Sequence, residues 1–343
     1  MPSKHHLITM FLSDPDVRVN RRSGHFVIRK NGSIIRKIPI FDIGMVIVRS
    51  GVSFSIDAVA SIMENEIPMF YLTSAGALMG QIAPTLRHDA SLRIAQAELS
   101  GNDKVRYFIS KKLLESRINN ALEVLALYPG SEKVDSGIRE LRRTMRALSA
   151  ARDLEMLRLM SERADRDYYR ALSELIPPRY SFKRRCSIFP IRDRVNCLLS
   201  FGYALFVQEM RGILAREGLD PYVGFSGEVE AGQPALALEL SEPLFPPLMD
   251  RLMLDLTRSN KFVKKDFCAE ICNDGNIFLG DEAQKKFFVH YESWMTHEVS
   301  DNGDEKSGPV RTALRKQVDG FKKALVSEEN FQRWYPISLK GKL

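Results

Sequence analysis

Apolar residues recur with two different periods along this chain, and the change from one to the other divides it. The first part alternates short β-branched or aromatic runs with polar positions: Leu7–Phe11, Val17–Asn20, His25–Arg29, Ile34–Ile38 and Gly44–Val48. A period of two in such residues predicts strands. Asp14-Pro15, Ser23-Gly24, Asn31-Gly32 and Ser50-Gly51 separate the runs and supply turn chemistry. Ser55–Glu64 switches to helical spacing through Ile56, Val59, Ile62 and Met63, with Ser55 as its N-cap. Two more strands follow, Pro68–Leu72 and Ala77–Ile82, split by a turn at Thr73-Ser-Ala-Gly76.

Pro84 and the polar run from Thr85 to Ser91 read as a linker, beyond which the apolar period becomes 3.6. Helices are predicted over Leu92–Glu98, Val105–Leu127, Ile138–Leu148 and Ala150–Ile176, the last stopped by Pro177-Pro178. Others start close to Asn196, start near Pro234, and span Asp250–Arg258, Asp281–His297 and Val310–Leu325. A turn at Asn273–Asn276 and a mobile loop over Ser300–Gly308 interrupt them. The expectation is an α+β protein of two domains: a small β-rich domain over residues 1–83, a linker over 84–91, and a larger all-α domain over 92–343.

Composition adds little to this division but narrows the function. A length of 343 residues fits two domains, since a typical domain has ~100–200. The 44% hydrophobic and 27% charged residues are those of an ordinary globular protein and exclude a fibrous or disordered chain. The N-terminal apolar run is too short for a signal peptide, and no run reaches the ~20 apolar residues of a membrane span, so a cytoplasmic protein is expected. Cys186, Cys197, Cys268 and Cys272 make no Cys-x-x-Cys pair and read as reduced thiols. The net charge of +7 favours a polyanionic partner.

Several clusters can carry chemistry. Glu239 and Glu242 stand three apart on the helix near Pro234, among Leu236, Leu238, Leu240 and Leu244. They read either as ligands for a hard cation such as Mg²⁺ or Mn²⁺ or as a solvated helix face. Arg139, Arg142, Arg143 and Arg146 align much of their charge along one helix side, where it can meet phosphates or simply water. The irregular segment Pro177–Arg192 mixes Tyr180 and Phe182 with Arg179, Lys183, Arg184, Arg185 and Arg192. Aromatics among cations are a means of stacking on splayed bases while holding phosphates. Glu162, with Arg158 and Arg166 four residues to either side, reads by itself as a surface ion-pair ladder. Asn196 is a polar group in a helix of core residues, there for structure or to face DNA.

The order of motifs resembles one family over the whole chain. Gly218-Leu-Asp-Pro-Tyr-Val-Gly-Phe-Ser-Gly, followed by Leu236-Ala-Leu-Glu-Leu-Ser-Glu-Pro, is similar in frame to the metal-site segment of CRISPR-associated protein one ("Cas-one"), the endonuclease and integrase that inserts new spacers into CRISPR arrays. The same holds for Ile67-Pro-Met-Phe-Tyr-Leu-Thr-Ser-Ala-Gly, Leu92–Glu98 with Arg93 and Gln96, Met160–Tyr169, Arg192–Phe206 and Trp334-Tyr-Pro. The resemblance implies Glu162, Glu239 and Glu242 as metal ligands, with Glu162 and Glu239 catalytic, and Mg²⁺ or Mn²⁺ as the cofactor. It also places Gly227 where the family has a histidine, with Glu228 or Glu230 as possible substitutes, and Glu239 where the family has an aspartate. DNA contacts are expected from Arg139, Arg142, Arg143, Arg146, Arg166, Tyr169, Lys183, Arg184, Arg185, Arg192 and Asn196. Implied partners are DNA (prespacer and CRISPR repeat or leader), a second copy of the chain through the N-terminal domain, and a "Cas-two" dimer. The altered ligands leave two functions open: a metal-dependent endonuclease and integrase, or a DNA-binding scaffold subunit that has lost efficient chemistry.

Overall fold

The computed structural model describes residues 8–49, 51–73, 78–82, 90–187, 190–227, 232–269, 275–301, 308–327, 332, 334–336 and 339–340. The chain runs β1 (Ile8–Leu12), β2 (Val17–Arg22), β3 (His25–Lys30), β4 (Ser33–Pro39), β5 (Ile43–Arg49), β6 (Ser53–Phe54), α1 (Ile56–Glu64), β7 (Met69–Leu72) and β8 (Leu78–Ile82). Helices then dominate: α2 (Ala90–Ser100), α3 (Asp103–Ala126), α4 (Glu132–Ala147), α5 (Leu154–Leu175), α6 (Arg194–Arg216), α7 (Ala235–Ser241) and α8 (Arg251–Arg258). A short hairpin, β9 (Phe267–Ala269) and β10 (Ile277–Leu279), precedes α9 (Asp281–Met295). The three small strands β11 (Glu298–Asp301), β12 (Gly308–Pro309) and β13 (Leu339–Lys340) flank α10 (Val310–Val326). The α+β class read from the sequence is therefore the observed one.

Two sheets build the first part. β1, β5 and β7 are parallel neighbours with β8 antiparallel at the edge, while β4, β3 and β2 form an antiparallel meander joined by a short parallel β6. Ser55 caps α1 as expected, its side chain accepting from Ala58 N. Strand β5 is buried on both faces, and its alternation serves two cores. Val46 and Val48 join Met10, Val19, Phe26 and Ile62, whereas Met45 and Ile47 point the other way and pack with Phe70, Leu72 and the helices. Each such side chain contributes roughly 1.5–3 kcal/mol by leaving water.

A buried polar cluster fixes the sheet against the helices. Arg311 of α10 donates to both carboxylate oxygens of Glu292 on α9, each at 2.7 Å, to Glu209 of α6, and to Thr9 Oγ1 of β1 at 2.8 Å. Thr9 N donates to Glu292, and Tyr291 donates to Glu209, so each acid has a second partner. Trp334, near the chain end, lies edge-on to Phe321 of α10 at 5.1 Å.

The structure moves some expected boundaries. The expected linker at 84–91 lies mostly outside the described residues, and α2 already begins at Ala90. The helix expected from Ala150 starts at Leu154, because the Asp153 side chain accepts from Met156 N at 2.8 Å and caps it there. From Glu242 to Asp250 the helical path is irregular, a tight turn followed by a wide one. Pro243, Pro246 and Pro247 remove three backbone donors there, which a regular ladder cannot spare.

Candidate functional site

The segment from Gly218 to Gly227 is pinned by side chains from three helices. Gln96 of α2 donates to the carbonyls of Asp220 and Val223 at 2.8 and 2.9 Å, and its own oxygen accepts from Asp220 N. Arg106 of α3 donates to the carbonyls of Phe225 and Gly227, both at 3.1 Å. Glu239 of α7 accepts from Phe225 N and from Ser226 N at 2.7 Å. Its carboxylate lies so close to Gly224 that a Cβ there would stand 2.5 Å from Oε1, so the glycine is what admits it. Burial pushes Glu239 up to about 7 against the pull of these backbone donors.

Beyond this loop, α3, α5 and the turn after α7 bring a cation and two acids together. Arg117 of α3 donates through Nη2 to Asp165 of α5 at 2.7 Å, and through Nη1 to Glu242 at 3.4 Å and Ser161 Oγ at 3.3 Å. Against the burial that would lower it, Asp165 and Glu242 hold the guanidinium more firmly protonated than usual. Burial raises Glu242, which Arg117 pulls back down while Asp165 adds to the rise.

A tyrosine layer lies under this trio. Tyr169 and Tyr203 share a hydrogen bond of 2.7 Å, Tyr203 donates to Asp250 Oδ1, and the Tyr203 ring stacks on Phe245 at 3.9 Å. Asp250 is fully buried, with Tyr168 also acting on it, and burial lifts its carboxyl to about 7 against the tyrosine hydroxyls.

The described residues expected to bind metal are each engaged by protein groups instead. Glu162 is half exposed and ion-pairs with Arg158, which also holds Glu155. The ladder is thus the arrangement formed, and helical periodicity is the reason. The inward stripe of α5 runs through Leu157, Ala164, Tyr168, Ala171 and Leu172, and Glu162 falls off it while Asp165 borders it. Glu239 is committed to backbone N–H groups and Glu242 to Arg117. Gly227 has no side chain, and a Cβ there would meet nothing within 4 Å. Glu228 and Glu230 lie outside the described residues. Among the described residues no group of three or more His, Cys, Asp or Glu is placed to hold a metal ion, so the described donors alone do not make up the set that the resemblance implied.

The cationic residues divide by exposure. Arg139, Arg142, Arg143 and Arg146 are exposed along α4, as are Arg166 on α5 and Lys183, Arg184 and Arg192 in the segment before α6. Three expected DNA contacts instead turn inward. Tyr169 is buried in the tyrosine layer. Asn196 is 1% exposed, accepting from Cys186 N and Arg185 and donating to Arg184 O and Asp193. Arg185 binds Asn196, Ser200 Oγ and the Cys186 carbonyl. Tyr180 and Phe182 are also core residues, Tyr180 donating to the Phe262 carbonyl, so they anchor the segment and are not free to stack on bases. Sequence reasoning missed Arg117 and Asp165. The signal available was polar residues within inward helical stripes: Ser116 and Asn120 beside Arg117, and Asp165 beside Ala164.

The comparisons with known proteins agree on one lineage. Residues 10–293 match the family described as CRISPR associated protein Cas1. CRISPR-associated endonuclease Cas1 1 of Chlorobaculum tepidum is 27% identical over 306 residues, covering 86% of this chain and 88% of that protein. CRISPR-associated endonuclease Cas1 3 of Thermus thermophilus is 27% identical over 324 residues, covering 94% and 92%. In fold, the chain superposes on a casposase bound to its integration product with a TM-score of 0.80 at 19% identity, covering 94% of this chain and 91% of that one. A Cas1 protein from Thermotoga maritima superposes with a TM-score of 0.78 at 20% identity, covering 93% and 97%. With the match spanning most of its length and the helical arrangement shared, the chain belongs to the CRISPR-associated Cas1 family.

Proposed function

We propose that this protein is a DNA-binding subunit of CRISPR adaptation in which the DNA-holding surface is retained and metal-dependent chemistry is weak or lost. The observation that carries the reading is the set of exposed arginines on α4, with no carboxylate partner among the described residues, next to a site whose acids are committed to protein groups. Cations that pay for no internal ion pair are available to phosphates. Prespacer DNA and the CRISPR repeat or leader are the expected ligands, in the cytoplasm. A second copy pairs through the N-terminal sheets, and a Cas2 dimer is the further partner; a chain of a Cas6-RT-Cas1–Cas2 complex is similar in fold.

The test is duplex affinity against salt. With about six phosphates neutralised, log K falls against log [salt] with a slope of roughly −5. Arg139→Glu with Arg143→Glu lowers affinity at least about tenfold and flattens that slope. A response to salt that is flat from the start sinks the proposal.

A second reading, a working endonuclease and integrase, is favoured by the carboxylates Glu228 and Glu230 that follow Gly227 in the sequence, and Glu228→Gln or Glu230→Gln is then expected to damage it. A Cβ added at Gly227 would meet nothing within 4 Å. Under the first reading, Gly227→His with Glu239→Asp is expected to gain Mn²⁺-dependent cleavage or strand transfer over the natural chain. Robust activity in the natural chain selects the second reading.

A further inference from the structure

In the Arg117 trio, two part-exposed acids from separate elements meet around one cation. Glu242 comes from the turn after α7, Asp165 from α5, and the guanidinium between them from α3. We propose that Arg117 is a built-in plug between Asp165 and Glu242 that keeps divalent metal away from this carboxylate pair. This rests on the reading of that site as catalytically weak, and not on DNA binding.

Three features support it. The planar fork engages both acids through different nitrogens and adds Ser161 Oγ, so the inner faces of the carboxylates are already bonded. Arginine does not lose its proton in proteins, so the plug cannot withdraw by neutralisation, as a lysine or histidine can. Its side chain is 15% exposed and packed beside Tyr169 and Tyr203, so it does not swing freely into water. An ion that demands near-octahedral oxygens at ~2.1 Å cannot share the acids with a guanidinium already between them. The acids themselves remain suitable: two carboxylates and a hydroxyl are hard oxygen donors, and water can complete the set. Removing the plug therefore leaves a metal site made by Asp165 and Glu242, with Glu162 uninvolved.

The experiment titrates Mn²⁺ into the full-length protein and follows the free-ion signal by electron paramagnetic resonance, without DNA. The natural chain is expected to show no saturable site into the millimolar range. Arg117→Met is expected to bind one Mn²⁺ at least about tenfold more tightly, and adding Asp165→Asn or Glu242→Gln is expected to remove that gain. A folded Arg117→Met that binds no more Mn²⁺ than the natural chain overturns the proposal. So does a saturable site in the natural chain that Glu242→Gln abolishes, a measurement that needs no arginine variant to fold. Arg117→Gln, closer in shape, replaces the methionine variant if circular dichroism shows that variant unfolded. DNA affinity, measured separately against salt, is unaffected by either outcome, so a failure of the plug is distinguishable from a failure of the DNA-binding reading.

Discussion

Arg311 and Arg117 each sit between two carboxylates from separate elements, and they do different work. Arg311 is enclosed with Glu209, while Glu292, Thr9 and Tyr291 complete its network across β1, α6, α9 and α10. Arg117 holds Asp165 and Glu242, but both acids reach water, at 36% and 39% exposure. The chemistry is the same and the dielectric is not. In the first case every carboxylate oxygen accepts at least one hydrogen bond, which rivets the sheet to the helices. In the second the acids keep outward faces, which is the condition for binding something else once the cation is gone.

The sharpest way to break the contrast is stability. Arg311→Met leaves Glu209 buried without its cation, and urea denaturation is expected to show a loss of about 3–5 kcal/mol. Arg117→Met is expected to cost only about 1 kcal/mol, because its acids can turn to solvent. Equal costs would show that both trios are structural rivets. A pH titration separates the site from the rivet in another way. Glu239 and Asp250 have carboxyls raised to about 7 in the folded protein. The folded state therefore holds protons that the unfolded chain releases nearer 4. Their contribution is fully present below about pH 4 and is lost as the pH rises toward 7. Asp250→Asn is expected to flatten that part of the stability profile, and an unchanged profile would locate the proton uptake elsewhere. The smallest effect is expected at Glu162→Gln. Both members of its ion pair are exposed to water, so stability should barely move, and Mn²⁺ binding by Arg117→Met should not move at all.

Much of the fold was legible from periodicity. The period-two runs became β1 to β5, and Ser55 capped α1, because these signals are local and no tertiary contact opposes them. The end of the Ala150 helix was read correctly from Pro177, while its start was misplaced because Asp153 outcompetes the apolar pattern as a cap. The site was less legible. Matching by frame picked Glu162, which lies off the inward stripe of α5, while the residue facing Arg117 is Asp165, three positions on. Charge in an aromatic context also misled at Tyr180 and Phe182, since the neighbours of a residue in the chain do not tell from which side it is covered.

Strand β5 carries a consequence for how the protein comes apart. Its odd and even residues are shared between two hydrophobic clusters, one under the sheets and one under the helices, so neither can be opened while the other keeps its packing along that strand. A protease that cuts between β8 and α2 would therefore sever the backbone without freeing two independent pieces, and the nicked halves are expected to stay together and to melt in one transition.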